Sequence, residues 1–160
     1  FGFREAPPAG AGMAEVLKAV EWVAHGFEIV QSHFPGWRFE APDTVADGSL
    51  HGTLLVGPPQ PVSLLGKDVA AALESFTLTL SCGDQAIETA KGSNVLGNPL
   101  SAIVHLLAVL ARQPHYAPLT AGEMVTTGTV TTAQSVKAGE IWRSEVRGIA
   151  LPGLSVEFLA

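Results

Sequence analysis

Cysteine is nearly absent from these 160 residues. Cys82 stands alone, which excludes an internal disulfide and leaves the fold to be held by packing. A lone thiol in an alternating apolar–polar run suits a reducing compartment, and the cytoplasm is the expected one. Positive charge is scarce too: 9 Lys and Arg stand against 15 Asp and Glu, a formal charge of −6. The basic residues form no cluster, so the electrostatic footprint of nucleic-acid binding is missing and no such partner is expected. Long apolar runs are also lacking. The longest nearly apolar stretch, Leu100 to Ala111, is interrupted by Ser101 and His105 and is far shorter than the roughly 20 residues that cross a bilayer. No membrane partner is expected. The N-terminus has no basic segment leading into an apolar one, so nothing reads as a signal peptide. It has no initiator Met either, and the true start is expected upstream of Phe1.

Several catalytic signatures are absent as well: no Walker A pattern, no GxSxG elbow, no HExxH and no paired CxxC. Nucleotide hydrolysis, the common serine-hydrolase route and zinc proteolysis lose their usual carriers. His25, His33 and His115 show no zinc-like spacing. Any metal would have to be held by carboxylates, which selects a hard cation such as Mg²⁺ or Mn²⁺.

What is present is a chain 47% hydrophobic and 15% charged, its apolar residues dispersed among 17 Gly and 11 Pro. Length and composition predict one folded, loop-rich domain over residues 1–160. Phe1 to Arg4 reads as the end of a strand, and the Pro/Gly-rich Ala6 to Gly12 as a loop. Val16, Leu17, Val20 and Val23 fall at helical spacing, predicting a surface helix from Met13 to Val23. After Gly26, Phe27 to Val30 reads as a buried strand whose acid, Glu28, needs a partner. Asp43 to Ser49 reads as a polar loop leading to a strand at Leu50 to Val56. Phe76 to Ser81 and Gln85 to Thr89 flank Cys82-Gly83-Asp84 as a hairpin. Asn98-Pro99 opens a helix to about Arg112, and strands are expected near Met124 to Thr126, Ile141 to Val146 and Leu154 to Phe158. Many strands and two main helices make an α+β domain around a mixed or rolled sheet.

The polar residues that stand out each have a structural reading beside a functional one. Glu28 fits a salt-bridged acid, Asp43 and Asp47 fit turn residues, and Lys91 fits a solvated cation. The threonines from Thr126 to Thr132 fit sheet propensity. His105, among Val104, Leu106 and Leu107, fits a core or helix-surface histidine.

In order and spacing, however, a set of blocks resembles the 2-keto-4-pentenoate hydratases of the fumarylacetoacetate hydrolase superfamily. The blocks are Phe27-Glu28-Ile29-Val30-Gln31-Ser32, Asp43-Thr44-Val45-Ala46-Asp47, Gly92 to Leu100 with its Leu-Gly-Asn-Pro-Leu core, Thr127-Gly128-Thr129-Val130-Thr131, and Gly139-Glu140. The 4-oxalocrotonate decarboxylases and acylpyruvate hydrolases share much of this pattern. The resemblance implies the rolled sheet of that superfamily's C-terminal domain, and a divalent cation, Mg²⁺ or Mn²⁺, held by three acids. Glu28 matches the third of them, and the Glu-x-Glu pair that supplies the others is expected upstream of Phe1. It further implies a hydro-lyase acting on a small 2-oxo acid in aromatic-compound degradation. Thr129 and Gly128 would meet the substrate carboxylate, Lys91 and Asp47 would serve as acid–base groups, and Ser49 would border the substrate. Gly48 stands where asparagine is common in hydratases. The apolar helix beginning at Leu100 and the surface left by missing N-terminal residues imply a homo-oligomer. Two other readings stay open: the same fold carrying out decarboxylation or hydrolytic carbon–carbon cleavage, and a non-catalytic fragment with an assembly role.

Overall fold

A computed structural model describes residues 1–159. Along the chain run β1 (Gly2–Phe3), α1 (Met13–Ala19), β2 (Val20–Val23), β3 (Gly26–Val30), α2 (Ala41–Ala46), β4 (His51–Val56) and β5 (Gln60–Pro61). They are followed by α3 (Val69–Ser75), β6 (Thr77–Cys82), β7 (Gln85–Lys91), α4 (Pro99–Leu110), β8 (Ile141–Arg147) and β9 (Ser155–Glu157). The α+β character matches expectation, with four α-helices among the described residues rather than two. The sheet is not mixed: among the described residues the strands form three antiparallel sheets, ordered β1-β2-β5, β3-β4 and β7-β6-β8-β9.

The four-stranded sheet follows from period-2 alternation. Leu78 and Leu80 of β6 are buried, and so are Trp142 and Ser144 of β8. The register sets Leu80 opposite Ser144 and Leu78 opposite Val146, so one face of both strands turns inward. On the other face Thr79 and Thr89 join hydroxyls across the hairpin at 2.9 Å. That hairpin, β8 and β9 agree with the sequence reading. Met124 to Thr126 does not form a regular strand: Met124 makes an isolated bridge to Gly2, and Val125 exchanges hydrogen bonds with Phe1 at 2.9 and 3.0 Å.

Helix α4 carries two start signals. Buried Asn98 caps it, its side-chain oxygen accepting the Leu100 N–H at 3.0 Å, and Pro99 occupies the first turn. The same amide donates to the Ala70 carbonyl at 2.9 Å and so ties α4 to α3. Leu100 and Ile103 are completely buried, each contributing about 1.5–3 kcal/mol relative to exposure. The apolar run Gly92–Leu110 is, by length and composition, capable of crossing a membrane. It is interrupted before Pro99, where Leu96 and Gly97 have positive φ and Asn98 is extended. The continuous helix of 12 residues measures about 18 Å, well under the hydrocarbon thickness of about 30 Å.

The predicted helix Met13 to Val23 stops four residues early. Val20, Trp22 and Val23 are β-branched or aromatic, and β2 pairs with β1 on one side and β5 on the other. Arg4 secures the switch by donating its guanidinium to the Val20 carbonyl at 2.7 and 3.2 Å, while its backbone N–H meets Ala19 O at 2.9 Å. Gly92 is required by close approach: a Cβ there would lie 1.9 Å from the Leu73 carbonyl and 2.5 Å from the Phe76 ring.

Candidate active site

A cavity of about 400 Å³ is walled by β3, the inward face of β6 and β8, and the segment from Met124 to Gln134. Its surface is largely apolar, with Trp22, Phe27, Leu78, Leu80 and Trp142 among the lining side chains. A concave apolar site with a few polar points is the usual form of a small-molecule pocket.

The Thr126–Thr132 run crosses one wall as a strap without regular structure, held by side chains from elsewhere. Asn94 donates to the Val130 carbonyl at 3.1 Å. Glu88 accepts the Thr132 N–H at 3.0 Å and its hydroxyl at 2.6 Å. Inside the strap Thr129 donates its hydroxyl to Thr131 O at 2.8 Å, and Gly128 adopts a φ of 97° that suits glycine. Beside the cavity-lining Trp142, Glu140 accepts the Trp142 indole N–H at 3.0 Å and the Lys137 N–H at 3.0 Å. Those two bonds hold its carboxyl below the ordinary range. Asn94, Glu88 and Glu140 are thus positioning groups that sequence reading did not single out, although Asn94 and Glu140 sit inside the quoted blocks.

Glu28, Gly128 and Thr129 line this one cavity. Glu28 does have a partner: its carboxylate meets His51 Nδ1 on β4 at 2.9 Å, and both side chains are more than 40% exposed. The strand is therefore half-open rather than buried. Lys91, Asp47 and Ser49 are not among the lining residues. Lys91 is exposed at the end of β7, opposite Thr77. Asp47 ends α2, where its carboxylate contacts the His33 ring and accepts the His33 N–H at 3.1 Å. That backbone bond is the leading cause of its lowered pKa. Ser49 is exposed with a φ of 60°. The stretch expected as a loop, Asp43 to Ser49, instead contains the end of α2 and a 3₁₀ turn.

A hard divalent cation takes about six or more ligands, mostly oxygens. Among the described residues no group of three His, Cys, Asp or Glu side chains is gathered to hold a metal. Glu28 offers one carboxylate beside an imidazole, so the residues of this chain do not by themselves fit such an ion.

Two histidines also gain sites that their spacing did not announce. His51 is the Glu28 partner. His25 lines the cavity and brings Nε2 to 2.8 Å from the Ser144 hydroxyl, a contact spanning 119 positions of sequence.

No family model matches the sequence. The chain is 33% identical over 135 residues to a 2-keto-4-pentenoate hydratase of Paraburkholderia xenovorans, covering 84% of this chain and 48% of that protein. It is 32% identical over 142 residues to a 2-hydroxyhexa-2,4-dienoate hydratase of Comamonas testosteroni, covering 88% of this chain and 50% of the relative. Among solved structures, a 4-oxalocrotonate decarboxylase from Pseudomonas putida G7, complexed with magnesium and adipate, superposes with a TM-score of 0.83 at 22% identity. It covers 99% of this chain and 57% of the other. The chain spans about half the length of the curated relatives it matches. The resemblance read from the sequence blocks is thereby supported, and the decarboxylase superposition shows the shared fold.

Proposed function

We propose that this chain is the C-terminal portion of a hydro-lyase that converts 2-hydroxypenta-2,4-dienoate to 4-hydroxy-2-oxopentanoate during aromatic-compound degradation in the cytoplasm. The observation carrying this reading is the meeting of Glu28, Gly128 and Thr129 on one cavity, in a chain whose relatives include 2-keto-4-pentenoate hydratases and a 2-hydroxyhexa-2,4-dienoate hydratase.

The chemistry needs three things: a grip on a carboxylate, proton movement, and control of water. In the dienol, the proton leaves the 2-hydroxyl and one is delivered to C5, giving a 2-oxo-3-enoate. Water then adds at C4 while C3 takes a proton. The strap is suited to the carboxylate. Gly128 leaves the backbone open, and Thr129 meets the anion with its N–H or by turning its hydroxyl away from Thr131 O. The apolar wall, with Trp142 fixed by Glu140, excludes bulk water around the conjugated chain. Lys91 and Asp47 as acid–base groups, and Ser49 as a substrate contact, rest on the resemblance alone.

A divalent cation, Mg²⁺ or Mn²⁺, belongs to this proposal because the solved decarboxylases were complexed with magnesium or calcium. Glu28 would give it one carboxylate, and the remaining ligands would come from outside this chain. A homo-oligomer is part of the same reading. The second reading is decarboxylation of a vinylogous 2-oxo acid, favoured by 4-oxalocrotonate decarboxylases among both the sequence and the structural relatives.

The test is loss of dienol ultraviolet absorbance with the chain extended to full length and supplied with Mg²⁺, the product being identified by NMR. Formation of 4-hydroxy-2-oxopentanoate, lost in Glu28→Gln, supports hydration. Release of carbon dioxide from 4-oxalocrotonate, with the dienoate left unhydrated, sinks it in favour of decarboxylation.

A further inference from the structure

His25 reaches the cavity from the residue before β3 and is anchored on its far side. Ser144, buried on β8, accepts the Leu154 N–H at 3.0 Å. Its single hydroxyl proton has two available acceptors: the Leu154 carbonyl at 3.5 Å, the limit of a hydrogen bond, and His25 Nε2 at 2.8 Å. The 2.8 Å contact fits either direction; with the hydroxyl as donor, it takes the proton. Nε2 is then an acceptor, and a neutral ring must carry its own hydrogen on Nδ1. Burial, which pushes the imidazole pKa below its ordinary value, favours the neutral ring at pH 7. The ring packs edge-on against Phe27 at 5.6 Å between centroids, which limits its rotation. Nδ1 makes no hydrogen bond among the described residues and is not sealed from solvent.

We infer that His25 is a ligand-contacting residue: its Nδ1–H donates to an oxygen of an oxo acid bound in the cavity, while the Nε2–Ser144 bond fixes tautomer and orientation. This deepens the proposed function, since it rests on the cavity being the 2-oxo acid site. A neutral donor in a largely apolar wall suits an oxygen carrying or gaining negative charge, and it adds a specificity point separate from the strap. An analogue with a methylene in place of that oxygen would leave the donor unpaired.

The experiment uses the ¹⁵N-labelled chain at pH 7, with long-range ¹H–¹⁵N correlation of the histidine rings. His25 is expected to show a protonated Nδ1 and an unprotonated Nε2, and Ser144→Ala to move the ring toward the opposite tautomer. Titration with 2-oxopentanoate, a stable saturated 2-oxo acid, is expected to shift Nδ1 saturably together with the Gly128 and Thr129 amides. His25→Phe should weaken that binding about 3- to 10-fold, with melting of the unliganded variant separating lost packing from lost contact. A protonated Nε2 in the free protein overturns the inference. So do saturable shifts at Gly128 and Thr129 with His25 unmoved. Absence of saturable shifts throughout the cavity overturns it together with the cavity as a 2-oxo acid site. A response at His25 in a chain whose full-length parent fails to hydrate the dienoate leaves the inference standing and removes only the hydration reading.

Discussion

The body built on α1, α3, α4, the β1-β2-β5 sheet and the four-stranded sheet differs sharply from the excursion that runs through β3, α2 and β4. Every buried hydrophobic side chain of the described residues belongs to the first, from Phe3 to Val23 and from Leu65 onward. Between residues 24 and 56 nothing reaches the buried class. That excursion is held by the β3–β4 ladder, by Phe27 packed against the core, by the His25–Ser144 contact and by two histidine–carboxylate pairs, His51 with Glu28 and His33 with Asp47. Pairs with at least one exposed partner, as both of these are, contribute little to stability. The lesson is a division of labour. Packing supplies stability in the body, whereas the acids that the resemblance assigns to chemistry lie on a segment with little to hold it.

The comparison breaks most visibly at Gly92. Gly92→Ala forces a methyl group against the Leu73 carbonyl and should cost about 3 kcal/mol or more, read as a lowered denaturation midpoint of the whole chain. Asn98→Ala removes the α4 cap and the bond to Ala70 O. A loss of about 2 kcal/mol is expected in the same measurement. Glu88→Ala frees Thr132 and should cost about 1 kcal/mol, with amide shifts concentrated in the strap. Asp47→Asn should leave the midpoint of the body unchanged while hydrogen exchange between residues 31 and 50 accelerates; an equal fall in both regions would refute the division.

Acid sharpens the same contrast. Asp47 has its pKa lowered from 3.8, so its contribution is present above that value and fades as pH falls through the lower folded one. The His33 amide signal should move in that window. Glu140, lowered from 4.5 by Trp142 and Lys137, has the same sign, and the Trp142 indole N–H reports it. A shift of either signal at its group's ordinary value would contradict the assigned bonds.

How much of this was legible in the sequence follows from how local each signal is. The β6–β7 hairpin, α4 behind Asn98-Pro99, and the strands at Ile141 and Ser155 carry their evidence within a few residues. Helix α3 does announce itself by Asp68 before three alanines, the carboxylate accepting the Ala71 N–H at 3.0 Å, but seven residues are too few for periodicity to show. The end of α1 is hidden from the sequence because Val20 and Val23 satisfy a helical spacing as well as a strand. What decides is the pairing with β1 and with β5, which lies nearly 40 positions away. At the site, Glu28, Gly128 and Thr129, about 100 positions apart in sequence, lie on one cavity. The Ser144 contact of His25 and the exclusion of Lys91 from the wall depend on tertiary geometry that no spacing reveals.

The antiparallel register of β6 with β8 has a kinetic consequence. The β6–β7 hairpin closes over a two-residue turn, whereas β8 joins β6 only after the chain from Gly92 to Glu140 has been laid down. Loop-closure entropy delays such long-range pairings relative to hairpins and helices. Ser144, Trp142 and the Glu140 carboxylate arrive with β8, so the cavity is expected to be completed late in folding. A newly made chain can therefore acquire most of its helices well before the cavity is walled.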